Sequence, residues 1–151
     1  MKDAIPELYL ENQLCFPLYA ASRLTTKIYT PYLNELDITY PQYLVLLALW
    51  EKDNQTVNSI GDCLYLESNT LTPLLKRLER KKFISRTRSK QDERVVIVSL
   101  SKKGVELKYK AQKIPHQLSR SFNNSELKET EIISFQKTLF KLLNILKSES
   151  S

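Results

Sequence analysis

Residues Thr56–Leu100 read TVNSIGDCLYLESNTLTPLLKRLERKKFISRTRSKQDERVVIVSL, and this stretch decides the fold. Thr56 is an N-cap candidate for a short helix through Leu64, with Val57, Ile60 and Leu64 on one face. Ser68 is the next N-cap candidate, opening a helix over Asn69–Lys82 whose Leu71, Leu74, Leu75 and Leu78 turn inward. Its opposite face offers Thr70, Thr72, Lys76, Arg77 and Arg80. Phe83–Arg88 and Val95–Leu100 then read as paired strands, joined by a polar tip over Ser89–Arg94.

The same region concentrates positive charge. Between Leu74 and Lys103 eleven Lys or Arg face only Glu79, Asp92 and Glu93, a local charge of +8. The whole chain carries +6, so everything outside this window sums to −2. A field focused on one module points to a polyanion partner, most simply duplex DNA. The bland alternative is a solvated basic face, which most charge runs are; helix–turn–helix–hairpin order argues against it here.

Working outward, Leu14, Leu18, Ala21, Leu24 and Ile28 follow helical spacing, so the sequence predicts a long helix from about Leu8 to Leu33. Pro17 inside that pattern either kinks it or marks its first ordered turn. Tyr40-Pro41 reads as a restart, and Tyr43–Trp50 is apolar nearly all round, which implies full burial. Ser101 begins a further helix with Leu107, Ala111, Ile114 and Leu118 on one stripe, bent at Pro115. A last helix starts around Ser125 to Lys128, where Ile132, Phe135, Leu139, Leu142 and Leu146 recur at steps of three and four, a seam that seeks another helix.

The expected architecture is therefore mainly α with a small β-wing. A winged helix-turn-helix over residues 41–100 lies between N-terminal (8–36) and C-terminal (101–147) helices that form a dimerisation domain, all within one domain over 1–151. Two Gly exclude glycine-rich phosphate loops, and one His, His116, excludes a His-based metal cluster or a Ser-His triad. No metal or cofactor is expected. The start Met1–Pro6 lacks an apolar run and no segment is apolar enough to span a bilayer, so a cytoplasmic location with reduced Cys15 and Cys63 is the expectation.

For DNA reading, the second helix of such a motif enters the major groove with its N-terminal residues at the base edges, here Ser68, Asn69, Thr70 and Thr72. Lys76 and Arg77 lie further along, where phosphates run, and Arg86, Arg88, Lys90, Asp92 and Arg94 belong to a wing whose Arg94 can enter the adjacent minor groove.

Several motifs resemble a known family. Leu71–Glu79 and Asp92-Glu93-Arg94 before a strand resemble the MarR winged-helix regulators; Leu14–Arg23 and Leu36–Leu44 are similar to its organic hydroperoxide resistance repressors (OhrR), of the one-cysteine type. The resemblance covers roughly residues 11 to 120. It implies a homodimeric repressor on an inverted-repeat operator, released when an organic hydroperoxide oxidises Cys15. It also implies that Tyr19, Tyr29 and Tyr40 surround the sulfur, and that Asp92 and Arg94 serve in the wing. Asn69 stands where the family usually has Gly, Cys63 where it has no cysteine, and Pro17 is unusual.

Read from physics, a peroxide sensor needs an accessible thiolate. Cys15 has no His or Lys close in sequence, so tertiary contacts or phenolic hydroxyls must activate it. Tyr19 at i+4 can share its face. Tyr29 is fourteen residues on, about 21 Å along a straight helix, so it can touch this sulfur only from another subunit. The plain alternative for Cys15 is a small buried hydrophobe, and Cys63 reads as packing. With no cysteine after Cys63, recovery would use a low-molecular-weight thiol forming a mixed disulfide. Competing functions are a regulator released by a small phenolic or aromatic ligand, a thiol peroxidase built on Cys15, and a nonspecific DNA-packing protein; the basic wing has no role in the peroxidase, so the chain is read as a non-enzyme.

Overall fold

The computed structural model describes residues 4–122 and 126–151, and the chain divides into two compact units, Met1–Tyr40 and Pro41–Ser151. Ser125, part of the expected start of the last helix, lies outside the described residues.

In the first unit two 3-10 turns, Pro6–Leu8 and Leu10–Asn12, precede α1 (Cys15–Glu35). Gln13 Nε2 donates to Glu7 O at 2.7 Å and Tyr9 O at 3.0 Å, tying the turns together. The helix expected from Leu8 thus starts later, at Cys15. Pro17 fits the observed start: it has no N–H and its ring crowds the carbonyl four residues back, both harmless in a first turn, whereas Pro31 is accommodated inside the helix near its other end. The helix ends without glycine. Ile38 N–H donates to Leu33 O and Asp37 N–H to Asn34 O, both at 3.1 Å, with Asp37 left-handed at φ 55° and Leu33 and Ile38 buried. Of the anticipated stripe, Leu14, Leu24 and Ile28 are 81%, 57% and 37% exposed: the helix forms, but its apolar face is open.

The second unit is built around α2 (Tyr40–Glu51), where Tyr43, Val45, Leu46, Ala48 and Leu49 are buried. Leu47 is exposed, so burial is not complete as its sequence suggested. A short strand β1 (Gln55–Thr56), absent from the sequence reading, leads into α3 (Val57–Leu64), capped by Thr56 Oγ1 accepting from Ser59 N–H. Helix α4 (Ser68–Arg80) buries Leu71, Leu75 and Leu78. Its N-cap is Glu67 rather than Ser68, which is already helical; no side chain caps this end. The turn between α3 and α4 passes through Tyr65, left-handed at φ 56°, and is tight enough that a Cβ on Gly61 would sit 2.7 Å from Leu66 O.

Strands β2 (Ile84–Arg88) and β3 (Val96–Leu100) form the antiparallel hairpin, with Ile84 opposite Leu100 and Arg88 opposite Val96. β1 adds to the far side of β3, giving the order β1-β3-β2. The single helix expected after Ser101 is two, α5 (Lys102–Ala111) and α6 (Ile114–Phe122). Pro115 cannot continue α5 past Ala111, so the break falls at Gln112-Lys113 and Pro115 takes the first turn of α6. Leu107, Ala111, Ile114 and Leu118 are buried as their spacing predicted. Trp50 is half-buried, its indole N–H donating to Gly104 O at 2.9 Å. Helix α7 (Glu129–Glu149) begins where Glu131 accepts from Lys128 N–H at 2.8 Å. No residue of α7 is buried: Phe135, Phe140, Ile145 and Leu146 are 59%, 54%, 58% and 49% exposed.

Candidate nucleic-acid interface and thiol site

The buried row Leu71, Leu75 and Leu78 fixes how α4 is turned. At 100° per residue Asn69, Pro73, Lys76 and Arg80 point away from that row, and all four are exposed. Thr70 and Arg77 flank this face on one side; Ser68 and Thr72 flank it toward the wing. Arg80 therefore aligns with Asn69 and Lys76, so it joins this face although the expected DNA-reading residues of the helix stop at Arg77. Thr72 Oγ1 donates to Ser68 O at 2.7 Å, so its hydroxyl hydrogen serves the helix itself.

The wing is organised by its own ion pairs. Arg94, 91% exposed at its side chain, donates from Nε to Asp92 Oδ1 at 3.2 Å, and Asp92 Oδ1 also accepts Arg94 N–H at 3.0 Å. The acid aims the tip arginine while leaving it in solvent. Arg88 Nη1 donates to Glu93 O at 2.8 Å and so braces the hairpin, while Lys90 is exposed on the tip. Arg86 is not a free cation: its Nε and Nη2 grip Glu79 Oε2 at 3.0 and 2.7 Å, and its N–H reaches Oε1 at 3.2 Å. That hydrogen-bonded guanidinium holds the Glu79 carboxyl below its ordinary range.

Cys15 is the first residue of α1 and is exposed, so the buried-hydrophobe reading does not hold within one chain. Cys63 is exposed on α3 and is likewise not packing. Tyr19, one turn after Cys15, is 64% exposed and carries Arg23 over its ring at 5.0 Å. Tyr29 and Tyr40 form a separate pair, ring centroids 4.8 Å apart and tilted by 51°. Burial pushes the Tyr40 phenol above its ordinary value, so it stays protonated and able to donate. The structure thus brings Tyr29 to Tyr40 and leaves Cys15 with Tyr19 at the other end of α1.

A family model described as transcriptional regulator SarA/Rot matches residues 27–114. The chain belongs to this family of transcriptional regulators. It is 55% identical over 115 residues to the organic hydroperoxide resistance transcriptional regulator of Bacillus subtilis (strain 168), a match spanning 76% of this chain and 78% of the relative. It is 40% identical over 126 residues to the HTH-type transcriptional regulator SarZ of Staphylococcus aureus (strain USA300), spanning 83% of this chain and 85% of that one. Its structure is similar to that of reduced AbfR bound to DNA, with a TM-score of 0.77 and 40% identity over 100% of both chains; AbfR is a protein of Staphylococcus epidermidis. The MarR-type winged-helix fold and the likeness to organic hydroperoxide resistance regulators, read from the motifs, agree with these relatives. SarA/Rot proteins are regulators of transcription, not enzymes. Among the described residues no helix is long and apolar enough to cross a membrane.

Proposed function

We propose that this SarA/Rot-family chain is a homodimeric repressor that binds an inverted-repeat operator and releases it when an organic hydroperoxide oxidises Cys15. One observation carries the reading: Tyr29, whose ring pairs with Tyr40 at the start of α2, lies fourteen residues after Cys15 on the continuous helix α1, about 21 Å along its axis. A sulfur-and-phenol site needs both groups, so a second copy must supply one of them. The open apolar faces of α1 and α7 are the surfaces for that copy.

In this reading the Cys15 thiolate attacks the outer peroxide oxygen. The S–O bond forms, the O–O bond breaks, the sulfur becomes a sulfenic acid and the alkoxide leaves as an alcohol after taking a proton. Phenolic hydrogens from Tyr19, Tyr29 and Tyr40 stabilise the charged sulfur and oxygen. A low-molecular-weight thiol then condenses with the sulfenic acid, giving a mixed disulfide and water. Because the site straddles two chains, a new group there shifts the paired reading heads, which must sit about 34 Å apart to meet successive major grooves. Ser68, Asn69, Thr70, Thr72, Lys76 and Arg77 face the major groove, and Arg86, Arg88, Lys90, Asp92 and Arg94 form the wing contact.

The test is an operator gel shift with reduced and cumene-hydroperoxide-treated protein, with intact mass at Cys15. Loss of binding together with an oxidised Cys15, and none in Cys15→Ser, supports the reading; unchanged binding by fully oxidised protein overturns it. A second reading rests on a cavity of about 720 Å³ between the α3–α4 turn and the end of α7, lined by Tyr65, Leu143, Leu146 and Lys147. A small aromatic ligand there would release DNA with Cys15 incidental, and Cys15→Ser would then keep full induction.

A further inference from the structure

A cleft of about 370 Å³ opens where the first residues of α3, the first residues of α4 and the wing converge. Asn58, Ser68, Thr72, Arg86 and Arg94 are among its walls, and no carboxylate lines it. Ser68 Oγ donates to Asn58 Oδ1 at 3.4 Å, which turns the acceptor end of Asn58 toward α4 and leaves its NH2 group uncommitted. Arg86 uses its N–H, Nε and Nη2 on Glu79, and its Nη1 makes no hydrogen bond among the described residues. Two side chains with unspent donors therefore line one cleft together with the exposed Arg94, beside the face that presents Asn69 and Lys76.

We propose that this cleft seats a backbone phosphate of the bound duplex, held by the Asn58 amide and Arg86 Nη1, with Glu79 as the positioning residue that locks the Arg86 guanidinium in place. The inference rests on the proposed DNA binding and adds a residue, Asn58 of α3, that neither the recognition helix nor the wing contains. A phosphate fits because no carboxylate lines the site, two of its donors are unspent and the surrounding field is positive, so it asks for a compact acceptor. Such a seat reads no base. It fixes how deep and at what angle α4 lies in the groove, and so sets which bases the Asn69 end of α4 can reach. The rigid Glu79–Arg86 bridge matters here, since a preorganised guanidinium loses little side-chain freedom on binding.

The experiment uses the full chain and a labelled duplex that it selects from a random pool. Each phosphate of one half-site is replaced in turn by a methylphosphonate, and affinity is read by anisotropy. Wild type should lose about tenfold at one position, the scale of one charge-assisted bond. Asn58→Ala and Arg86→Gln should bind selected and scrambled duplexes about tenfold more weakly, and should lose nothing further at that position. Arg86→Gln should also lower the salt slope by about one, while Asn58→Ala should not. Glu79→Gln should weaken the effect at that position without moving it, a signature that loss of fold would not give. Asn58→Asp, of the same shape on an exposed site, should bind worse than Asn58→Ala and keeps the proposal testable should Arg86→Gln fold poorly. Identical methylphosphonate profiles for wild type and the Asn58 variants overturn the seat while leaving DNA binding intact; a wild-type chain that binds no duplex overturns both.

Discussion

Tyr29 and Tyr40 pack with tilted rings 4.8 Å apart between centroids, yet Cys15 lies fourteen residues before Tyr29 on the same continuous helix. No rotamer spans the intervening distance of about 21 Å. If the three groups act together they do so in trans, and the thiol of one copy answers to the phenols of another.

That arrangement has a mixing signature. A heterodimer of a Cys15→Ser chain with a Tyr29→Phe/Tyr40→Phe chain retains one site in which native Cys15 meets native tyrosines. Its peroxide reaction, followed by stopped flow or quenched mass spectrometry, should proceed at the wild-type rate with half the stoichiometry. The Tyr29→Phe/Tyr40→Phe homodimer should be about tenfold slower, the worth of roughly one lost hydrogen bond in the transition state. A heterodimer no faster than that homodimer would place sulfur and phenols on one chain.

Tyr40 should leave a mark at alkaline pH. Burial raises its phenol above the ordinary 10.0, so the folded chain holds that proton more tightly than the unfolded one. The associated stability is complete below the unfolded value and disappears as pH rises through the folded one. Urea denaturation across this range should therefore show wild type declining more steeply than Tyr40→Phe; parallel curves would contradict it.

The Glu79–Arg86 bridge acts at the other end of the scale. The guanidinium lowers the Glu79 carboxyl, so its stabilisation is present above the usual carboxylate range and fades as pH falls through the lowered value. Glu79→Gln should be slightly less stable than wild type at neutral pH, and the difference should shrink and vanish as pH falls through the lowered Glu79 value. Equal stability at pH 7 would show that solvent screening cancels the pair.

Gly104 should tolerate no side chain. A methyl there would run into the carbonyl oxygen of Phe83, while Gly104 O accepts the Trp50 indole N–H at 2.9 Å. Gly104→Ala should cost about 1–3 kcal/mol by forcing α5 away from the base of the wing. Trp50 is the only tryptophan, so its fluorescence during thermal melting reads this directly.

Lys82 offers the opposite change. It follows α4 in the left-handed region at φ 65°, with its N–H on Glu79 O at 2.9 Å and Phe83 N–H on Leu78 O at 3.1 Å. This is the helix ending that glycine favours. Lys82→Gly should stabilise by about 0.5–1 kcal/mol, because relief of side-chain strain exceeds the added freedom of the unfolded chain. A lower midpoint in denaturant would show that the Lys82 side chain contributes more than its backbone costs.

Much of this fold is readable from local chemistry. Leu71, Leu75 and Leu78 orient α4 by period alone, and Val96–Leu100 announces a strand by its run of β-branched residues. Pro17 and Pro115 lie in the first turns of α1 and α6, but apolar spacing alone runs straight through each proline and does not say where the preceding hydrogen bonds stop. Two residues are too few to signal β1; it exists because β3 presents an open edge to Gln55. Left-handed turns at Asp37, Tyr65 and Lys82 are invisible where only two Gly are available to announce such sites. In the site, charge counting found the basic face but not its internal pairing: Arg86 spends itself on Glu79 through a contact that needs α4 and β2 in place.

The bare apolar ridge of α7 also bears on supply. A lone copy wears that ridge against water, so for the proposed homodimer the solitary form is disfavoured and pairing follows mass action. Under the proposed function, how much of the regulator a cell makes then sets how many reading heads are armed before any oxidant arrives, and a modest change in its synthesis would move the threshold of the response as surely as a change in the sulfur chemistry.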